Sequence, residues 1–246
     1  MDGYDDTTYG RAFADVYDDW YAGISDVGAT VEDLVRLAGD GPVLELGVGT
    51  GRLAAPLAER APHLTVVGVD SSVEMLDRLR ARAHPANLVA RHGDMVDDLP
   101  EGPFSLAFVA YNTVFNLLTA ERQRACFAAV ADRLVTGGRF VIEAFVPEHP
   151  PRDGDHIEVR TLAADRIVLS ISRHDAPTQR ADGHFVELTE AGGVRLRPWS
   201  IRYASPAELD EMAAGVGLEL EHRWEAFGGL QFGSSSPRHV TVYRAS

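Results

Sequence analysis

The spacing of apolar residues changes character three times along this chain. Over residues 7–22, Tyr9, Phe13, Val16, Tyr17, Trp20 and Tyr21 recur at i, i+4, i+7, i+8, i+11 and i+12. That period predicts one amphipathic helix, with Thr7 or Thr8 as its cap. The tyrosine hydroxyls on the stripe need partners, so it suits a lid over a ligand as well as plain core packing. A second helix near residues 26–38 should end at the breaker cluster Gly39-Asp40-Gly41-Pro42.

From residue 43 the pattern becomes short apolar runs separated by helical stretches. Val43–Val48, Leu64–Asp70, Asn87–His92, Phe104–Tyr111 and Arg139–Val146 read as five strands. The intervening helices hold Leu53–Arg60, then a stretch capped by Ser72 with Val73, Leu76 and Leu79. A third carries Phe127, Val130, Ala131 and Leu134 and stops at Gly137-Gly138. Phe104–Tyr111 is almost continuously apolar, as a central parallel strand buried on both faces should be. This rhythm predicts an α/β fold: a doubly wound, mostly parallel seven-stranded sheet that takes ligands at the carboxyl ends of its strands.

Residues 155–203 change to a period of two and read as about four antiparallel strands. In Arg166–Arg173, Ile167, Leu169 and Ile171 alternate with Arg166, Ser170 and Ser172, while Val168 interrupts the polar face. Turn signals fall at Ala181-Asp182-Gly183 and Ala191-Gly192-Gly193. The helical pattern then returns at Ser205-Pro206-Ala207-Glu208, a capping box with Pro at the first helical position. Leu218–Phe227 and His239–Arg244 read as a final antiparallel pair, joined by the glycine- and serine-rich loop Gly228–Pro237. The chain is thus expected to be one domain over residues 1–246. Residues 1–40 form a helical lid, and 150–203 an antiparallel β insertion that serves as a substrate cover or a dimer surface.

Composition narrows the partners. The 246 residues, 45% of them apolar, suffice for one sizeable core. A net charge of −14 argues against a phosphate backbone as substrate. All 23 basic residues are arginine. Residues 152–202 hold eight arginines and eight acids, so this stretch is neutral and the rest carries the whole charge. Those arginines read as a solvated face or, where they converge, as a site for an acidic substrate group. The single cysteine, Cys126, excludes an internal disulfide, and no Cys/His cluster has zinc-ligand spacing. The acidic start MDGYDD is unlike a signal peptide, and no apolar run reaches ~18 residues, so a soluble, cytoplasmic, metal-free protein is expected. The partners expected are a small-molecule acceptor and, through the insertion, a second copy of the chain; neither nucleic acid nor membrane is expected.

The chemistry concentrates at Val43-Leu44-Glu45-Leu46-Gly47-Val48-Gly49-Thr50-Gly51, a strand that turns through three glycines into a helix. Such a turn offers backbone N–H groups and close approach to a ligand. A dinucleotide site wants G-x-G-x-x-G and an acid about 20 residues on. Asp70 meets the second condition, but Arg52 stands where the third glycine belongs. Glu45 before the turn and Asp94 after the third strand add two acids. Together with Asp70 they match the amine, ribose diol and adenine amine of S-adenosylmethionine (SAM).

Glu45-Leu46-Gly47-Val48-Gly49-Thr50-Gly51, Asp70 and Gly93-Asp94-Met95 together resemble the class I SAM-dependent methyltransferase family. The resemblance implies that Gly47, Gly49 and Gly51 line the methionine moiety, with Glu45 on its amine. Asp70 would hold the ribose, Met75 and Met95 would flank adenine, and Asp94 would bind its amino group. Ser71 and Tyr111 complete the cofactor set at the strand ends. The aromatic series Tyr9, Phe13, Tyr17-Asp18 and Tyr21, with the insertion, resembles the small-molecule branch that includes amino-sugar N,N-dimethyltransferases. In that branch the first tyrosine, here Tyr9, lies near the transferring methyl, and the next, Tyr17, contacts SAM. Some of those enzymes carry a His in the loop after strand four, where this chain has Asn116.

Tyr9, Asn116 and Glu143 are therefore the catalytic candidates, with Tyr111 and Asn112 beside them. Glu143 lies in the apolar run Phe140–Phe145, where an acid is costly unless partnered. It either orients a substrate amine or hydroxyl, or pairs with an arginine or a backbone N–H. The expected function is methyl transfer from SAM to nitrogen or oxygen of a small metabolite, such as an amino sugar or another natural-product intermediate. Two other readings compete: a nicotinamide-dependent oxidoreductase, on the glycine turn and Asp70, and a SAM-binding protein without catalysis.

Overall fold

A computed structural model describes residues 1–5 and 7–246; Asp6, within the acidic start, lies outside the described residues. The N-terminal stripe forms two short helices, α1 (Thr8–Phe13) and α2 (Tyr17–Tyr21), rather than the single one its period predicts. The break has a distant cause. The Ala12 carbonyl, which would accept the next helical N–H, accepts a hydrogen bond from Arg197 of the insertion, while Asp15 pairs with the same guanidinium at 2.6 Å. Thr7 does not cap; its hydroxyl and that of Thr8 both donate to Asp5 at 2.8 Å. Helix α3 (Val27–Ala38), capped by Asp26, packs into the layer under the sheet. Among the described residues of 1–40, Tyr4, α1 and α2 lie over the site and α3 does not.

The main sheet has the order β11-β10-β12-β5-β4-β1-β2-β3. β1 (Val43–Leu46), β2 (Val66–Asp70), β3 (Leu88–His92), β4 (Phe104–Val109) and β5 (Leu134–Phe145) run parallel. β10 (Leu218–Ala226) and β12 (Arg238–Ala245) are antiparallel partners, and β12 also pairs antiparallel with β5. An eighth strand, the two-residue β11 (Leu230–Gln231), arises within the expected glycine–serine loop. The connecting helices are α4 (Ala54–Arg60), α5 (Val73–Arg80), α6 (Ala120–Ala131) and α7 (Pro206–Ala214). The capping box at Ser205 and Glu208 is formed. Helix α6 ends before Gly137-Gly138, and these glycines lie inside β5, where the register with β4 shifts. Side chains on the two faces of the sheet form two separate apolar cores.

Strand order reverses between β1 and β4, so the glycine turn sits at the topological switch point, where open α/β sheets bind ligands. Residues after β5 form a separate antiparallel sheet of β6 (Gly154–Leu162), β7 (Arg166–Asp175), β8 (Arg180–Thr189) and β9 (Val194–Arg202). One expected turn is absent: Ala181-Asp182-Gly183 lies within β8. A Cβ on Gly183 would come within 2.5 Å of the Trp199 ring, so this glycine makes room for an aromatic rather than for a turn. Among the described residues, no helix is long and apolar enough to cross a membrane.

Candidate functional site

The glycine turn opens onto a cleft between the strand ends and α1–α2. Ten of the expected site residues line it: Tyr9, Tyr17, Gly47, Gly49, Asp70, Ser71, Met75, Asp94, Met95 and Asn116. Glu45, Gly51, Tyr111 and Glu143 do not. Gly47 and Gly49 have φ of +70° and +55°, a backbone region costly for other residues. A Cβ on Gly47 would meet Thr113 at 2.4 Å, whereas Gly49 faces open space in the cleft. Gly51 instead packs toward Leu79 of α5, where a Cβ would lie 3.0 Å from that side chain.

The acids occupy graded environments. Asp70 ends β2 and accepts N–H bonds from Gly49 and Ser72, each at 2.8 Å. Burial raises its carboxyl above the usual range, and these donors offset part of the effect. Asp94 accepts from the Val96 and Asp97 amides and from Arg122, at 2.7, 2.9 and 2.7 Å, all at Oδ1. Glu45, 4% exposed, is deepest; its Oε2 is buried with no hydrogen-bond partner. Desolvation lifts its carboxyl to about 8, against the pull of Arg52. A buried carboxylate oxygen without a donor is costly, and an incoming ammonium would satisfy it. SAM fits these residues on two counts: the orphan oxygen of Glu45 for its amine, and the open side of Gly49 for close backbone approach.

The lid is tied down at both ends. Asp18 accepts from Thr50 of the glycine turn at 2.7 Å and pairs with Arg82 beyond α5. Gly10 sits directly on the α5 N-cap, where a Cβ would come within 2.2 Å of Ser72. The Tyr9 hydroxyl donates to Tyr21 at 3.1 Å, and the Tyr9 ring stacks on Phe13 with centroids 4.3 Å apart. Burial and the neighbouring phenols hold the Tyr9 hydroxyl well above its ordinary pKa. Tyr17 is raised mainly by burial, with Arg52 pulling the other way through charge and a hydrogen bond. Tyr21 and Tyr111 meet edge to face at 5.5 Å.

Glu143 takes the second of its two expected roles. Its Oε2 accepts the Tyr111 backbone N–H at 3.0 Å, so it shapes the loop after β4 instead of entering the cleft. Asn112 is a structural residue as well, its Oδ1 accepting the Phe145 N–H at 2.7 Å. Asn116 ends the 3-10 turn Thr113–Asn116 and does reach the cleft.

Two arginines stand beside the site without lining the cleft, and neither was recognisable in that position beforehand. Arg52 acts electrostatically on Glu45, Tyr17, Tyr111 and Glu143 together and donates to Ser25 at 2.7 Å. Its place directly after the glycine turn was the available signal. Among the described residues, seven of the eight insertion arginines pair with carboxylates. They therefore do not converge on one acid-binding site, and Arg197, 1% exposed, is no part of a solvated face. The eighth, Arg160, stacks over Phe185 at 4.6 Å, Trp20 at 4.8 Å and Tyr21 at 5.4 Å. It falls at the register shift between Val159 and Thr161, and a bulge of this kind re-aims a side chain.

Comparison with known proteins agrees with this fold. A family model described as a methyltransferase domain matches residues 43–138. The solved CcbJ methyltransferase of Streptomyces caelestis is 41% identical, covers 99% of this chain and 100% of its own, and superposes with a TM-score of 0.92. A demethylmenaquinone methyltransferase of Thermus thermophilus is 28% identical over 190 residues, 76% of this chain and 78% of its own. SAM-bound CalS10, an amino pentose methyltransferase of Micromonospora echinaspora, shares the fold with a TM-score of 0.72 at 22% identity, covering 94% of this chain and 97% of its own. The nicotinamide and non-catalytic readings give way to these matches: the chain belongs to the SAM-dependent methyltransferase family.

Proposed function

We propose that this enzyme methylates an amine nitrogen of a small natural-product intermediate, an amino sugar being the leading class. The carrying observation is that the described candidates for a base are all engaged or poorly basic: the cleft carboxylates Asp70 and Asp94 accept from backbone N–H groups and, for Asp94, from Arg122. No histidine is among the described residues lining the cleft, and Tyr9 and Tyr17 are held above their ordinary range. Glu143, the acid expected to serve, is occupied by a backbone N–H. A hydroxyl acceptor needs its proton removed, whereas a neutral amine arrives with its lone pair free.

When bound, the cofactor supplies an electrophilic methyl group on a sulfonium. What the chain contributes is placement, worth on the order of 7–11 kcal/mol when two reactants are well oriented. Glu45 would hold the cofactor amine and Asp70 the ribose, while Asp94 with Met75 and Met95 would take the adenine. Tyr9 donates its own proton to Tyr21, so its oxygen is left to accept an acceptor N–H and aim the lone pair. The stacked Arg160 keeps N–H edges for a carbonyl or anionic group elsewhere on the acceptor. A relative that acts on a small molecule supports a small acceptor: a trans-aconitate 2-methyltransferase of Sinorhizobium fredii is 28% identical over 202 residues.

The test is S-adenosylhomocysteine release over a panel of amino sugars and related amines beside their hydroxyl analogues, with product masses. Turnover confined to the amines supports the proposal; turnover confined to hydroxyl acceptors overturns it.

A further inference from the structure

The first turn of α6 carries a charge that its own helix disfavours. Thr119 caps the helix and accepts the Arg122 N–H at 3.1 Å, which makes Arg122 the third helical residue. A capping box places Glu or Gln there, as Glu208 stands in α7, and the positive end of a helix repels a cation. Arg122 is held instead by two acids of the loop after β3. One guanidinium nitrogen donates to Asp94 Oδ1 at 2.7 Å and the other to Asp97 Oδ2 at 2.8 Å. Asp94 lines the cofactor cleft, whereas Arg122 stands behind it.

We infer that Arg122 sets the preference of the cofactor site for an aminopurine over an oxopurine, acting through Asp94. This rests on the proposed function, in which Asp94 takes the adenine. Adenine presents an amino donor where hypoxanthine presents a carbonyl acceptor. An ionised carboxylate only accepts, while a protonated one also donates, so discrimination requires Asp94 to stay ionised. It also requires a carboxylate oxygen reserved for the purine. Arg122 serves both needs. Asp94, Asp97 and Asp98 fall within five residues, and a guanidinium shared by two of these carboxylates offsets their repulsion. At Oδ1 it joins the Val96 and Asp97 amides, at 2.7 and 2.9 Å. Among the described residues, the three donors to this side chain thus converge on one oxygen, and Oδ2 is left for the purine. The two amides orient the carboxylate from within its own loop; the positive charge comes from α6.

Calorimetric titration with S-adenosylhomocysteine and with S-inosylhomocysteine, which carries a carbonyl in place of the amino group, tests this without turnover. Wild type should favour the adenosyl compound about thirtyfold, the worth of one hydrogen bond to a charged group. Arg122→Gln should reduce that ratio to about threefold. Arg122→Lys keeps the charge and should retain most of the ratio. Arg124→Gln, at an exposed arginine of the same helix that pairs with Glu121, should leave it at the wild-type value. Asp97→Asn loosens the guanidinium while Arg122 and Asp94 stay in place, and should give an intermediate ratio even if Arg122→Gln does not fold. A wild-type ratio in both Arg122→Gln and Asp97→Asn would overturn the inference. Asp94→Asn separates the two levels. Preference lost there but kept in Arg122→Gln leaves the adenine placement standing and removes Arg122 from it; preference kept in Asp94→Asn removes both.

Discussion

The carboxylate of Glu143 accepts the backbone N–H of Tyr111 at 3.0 Å, holding in place a residue whose φ is +47°. Asn112 follows at +65°, with its N–H bonded to the Glu143 carbonyl at 2.9 Å. Two successive left-handed non-glycine residues are costly and persist only where the surroundings over-determine them. Removing the acceptor in Glu143→Ala should cost about 1–3 kcal/mol of stability. It should also lower turnover, because Tyr111 packs against Tyr21 of the lid. Glu143→Gln keeps an acceptor oxygen and should recover most of both. Urea melts and steady-state rates on the two variants check this, and equal losses in both would contradict the positioning role.

Glu45 should report cofactor binding as a proton. Its folded value of about 8 lies above the ordinary glutamate value of 4.5, so the folded apo protein keeps a proton that the unfolded chain releases. Apo stability should therefore fall as pH rises from about 4.5 toward 8. An ammonium placed on the carboxylate favours its ionised form, so binding of S-adenosylhomocysteine at pH 7 (about one unit below that value) should release close to one proton. Calorimetry in buffers of different ionisation enthalpy measures this number, and Glu45→Gln should reduce it to near zero while weakening affinity.

Tyr9→Phe should lower kcat about tenfold, the worth of one orienting hydrogen bond. S-adenosylhomocysteine affinity should change little. Since the Tyr9 hydroxyl is held above its ordinary pKa, wild type and variant should share one pH–rate profile, set by the acceptor amine. Unchanged turnover would remove Tyr9 from the reacting atoms.

Gly10→Ala tests whether the lid must sit on α5. The added methyl meets Ser72 within 2.2 Å, so α1 has to lift. Cofactor affinity should drop about tenfold or more, while the thermal midpoint moves by only a few degrees, because the main sheet is untouched. A large loss of midpoint with affinity preserved would show that the contact serves the fold instead.

Arg160→Gln should raise KM for acceptors that carry a carboxylate or carbonyl near the amine and leave simple amines unaffected. A tenfold rise corresponds to about 1.4 kcal/mol, within the range of a charge-assisted hydrogen bond. Arg160→Lys should not restore it, since an ammonium lacks the planar face that stacks on Trp20 and Phe185. A uniform KM across both acceptor groups would dismiss this role.

What the amino-acid sequence determined by itself was everything carried by local periodicity and short spacing. The strand–turn–helix at Glu45–Gly51, the acids ending β2 and following β3, the parallel core strands and the capping box at Ser205 all depend on residues a few positions apart. The period of burial and the backbone freedom of glycine express themselves locally, so these were legible. Tertiary structure decided what depends on distant partners. Residues 7–22 satisfied a helical period yet broke, because a carbonyl at Ala12 is claimed by Arg197 from far along the chain. Gly183 resembled a turn residue, but Trp199 on the neighbouring strand is what requires it. Glu143 was visibly anomalous, while its partner, a backbone N–H on β4's exit loop, was not. The insertion's alternation showed two faces without saying which would turn inward. That choice followed from ion pairs and ring contacts with α1 and α2, which no local pattern encodes.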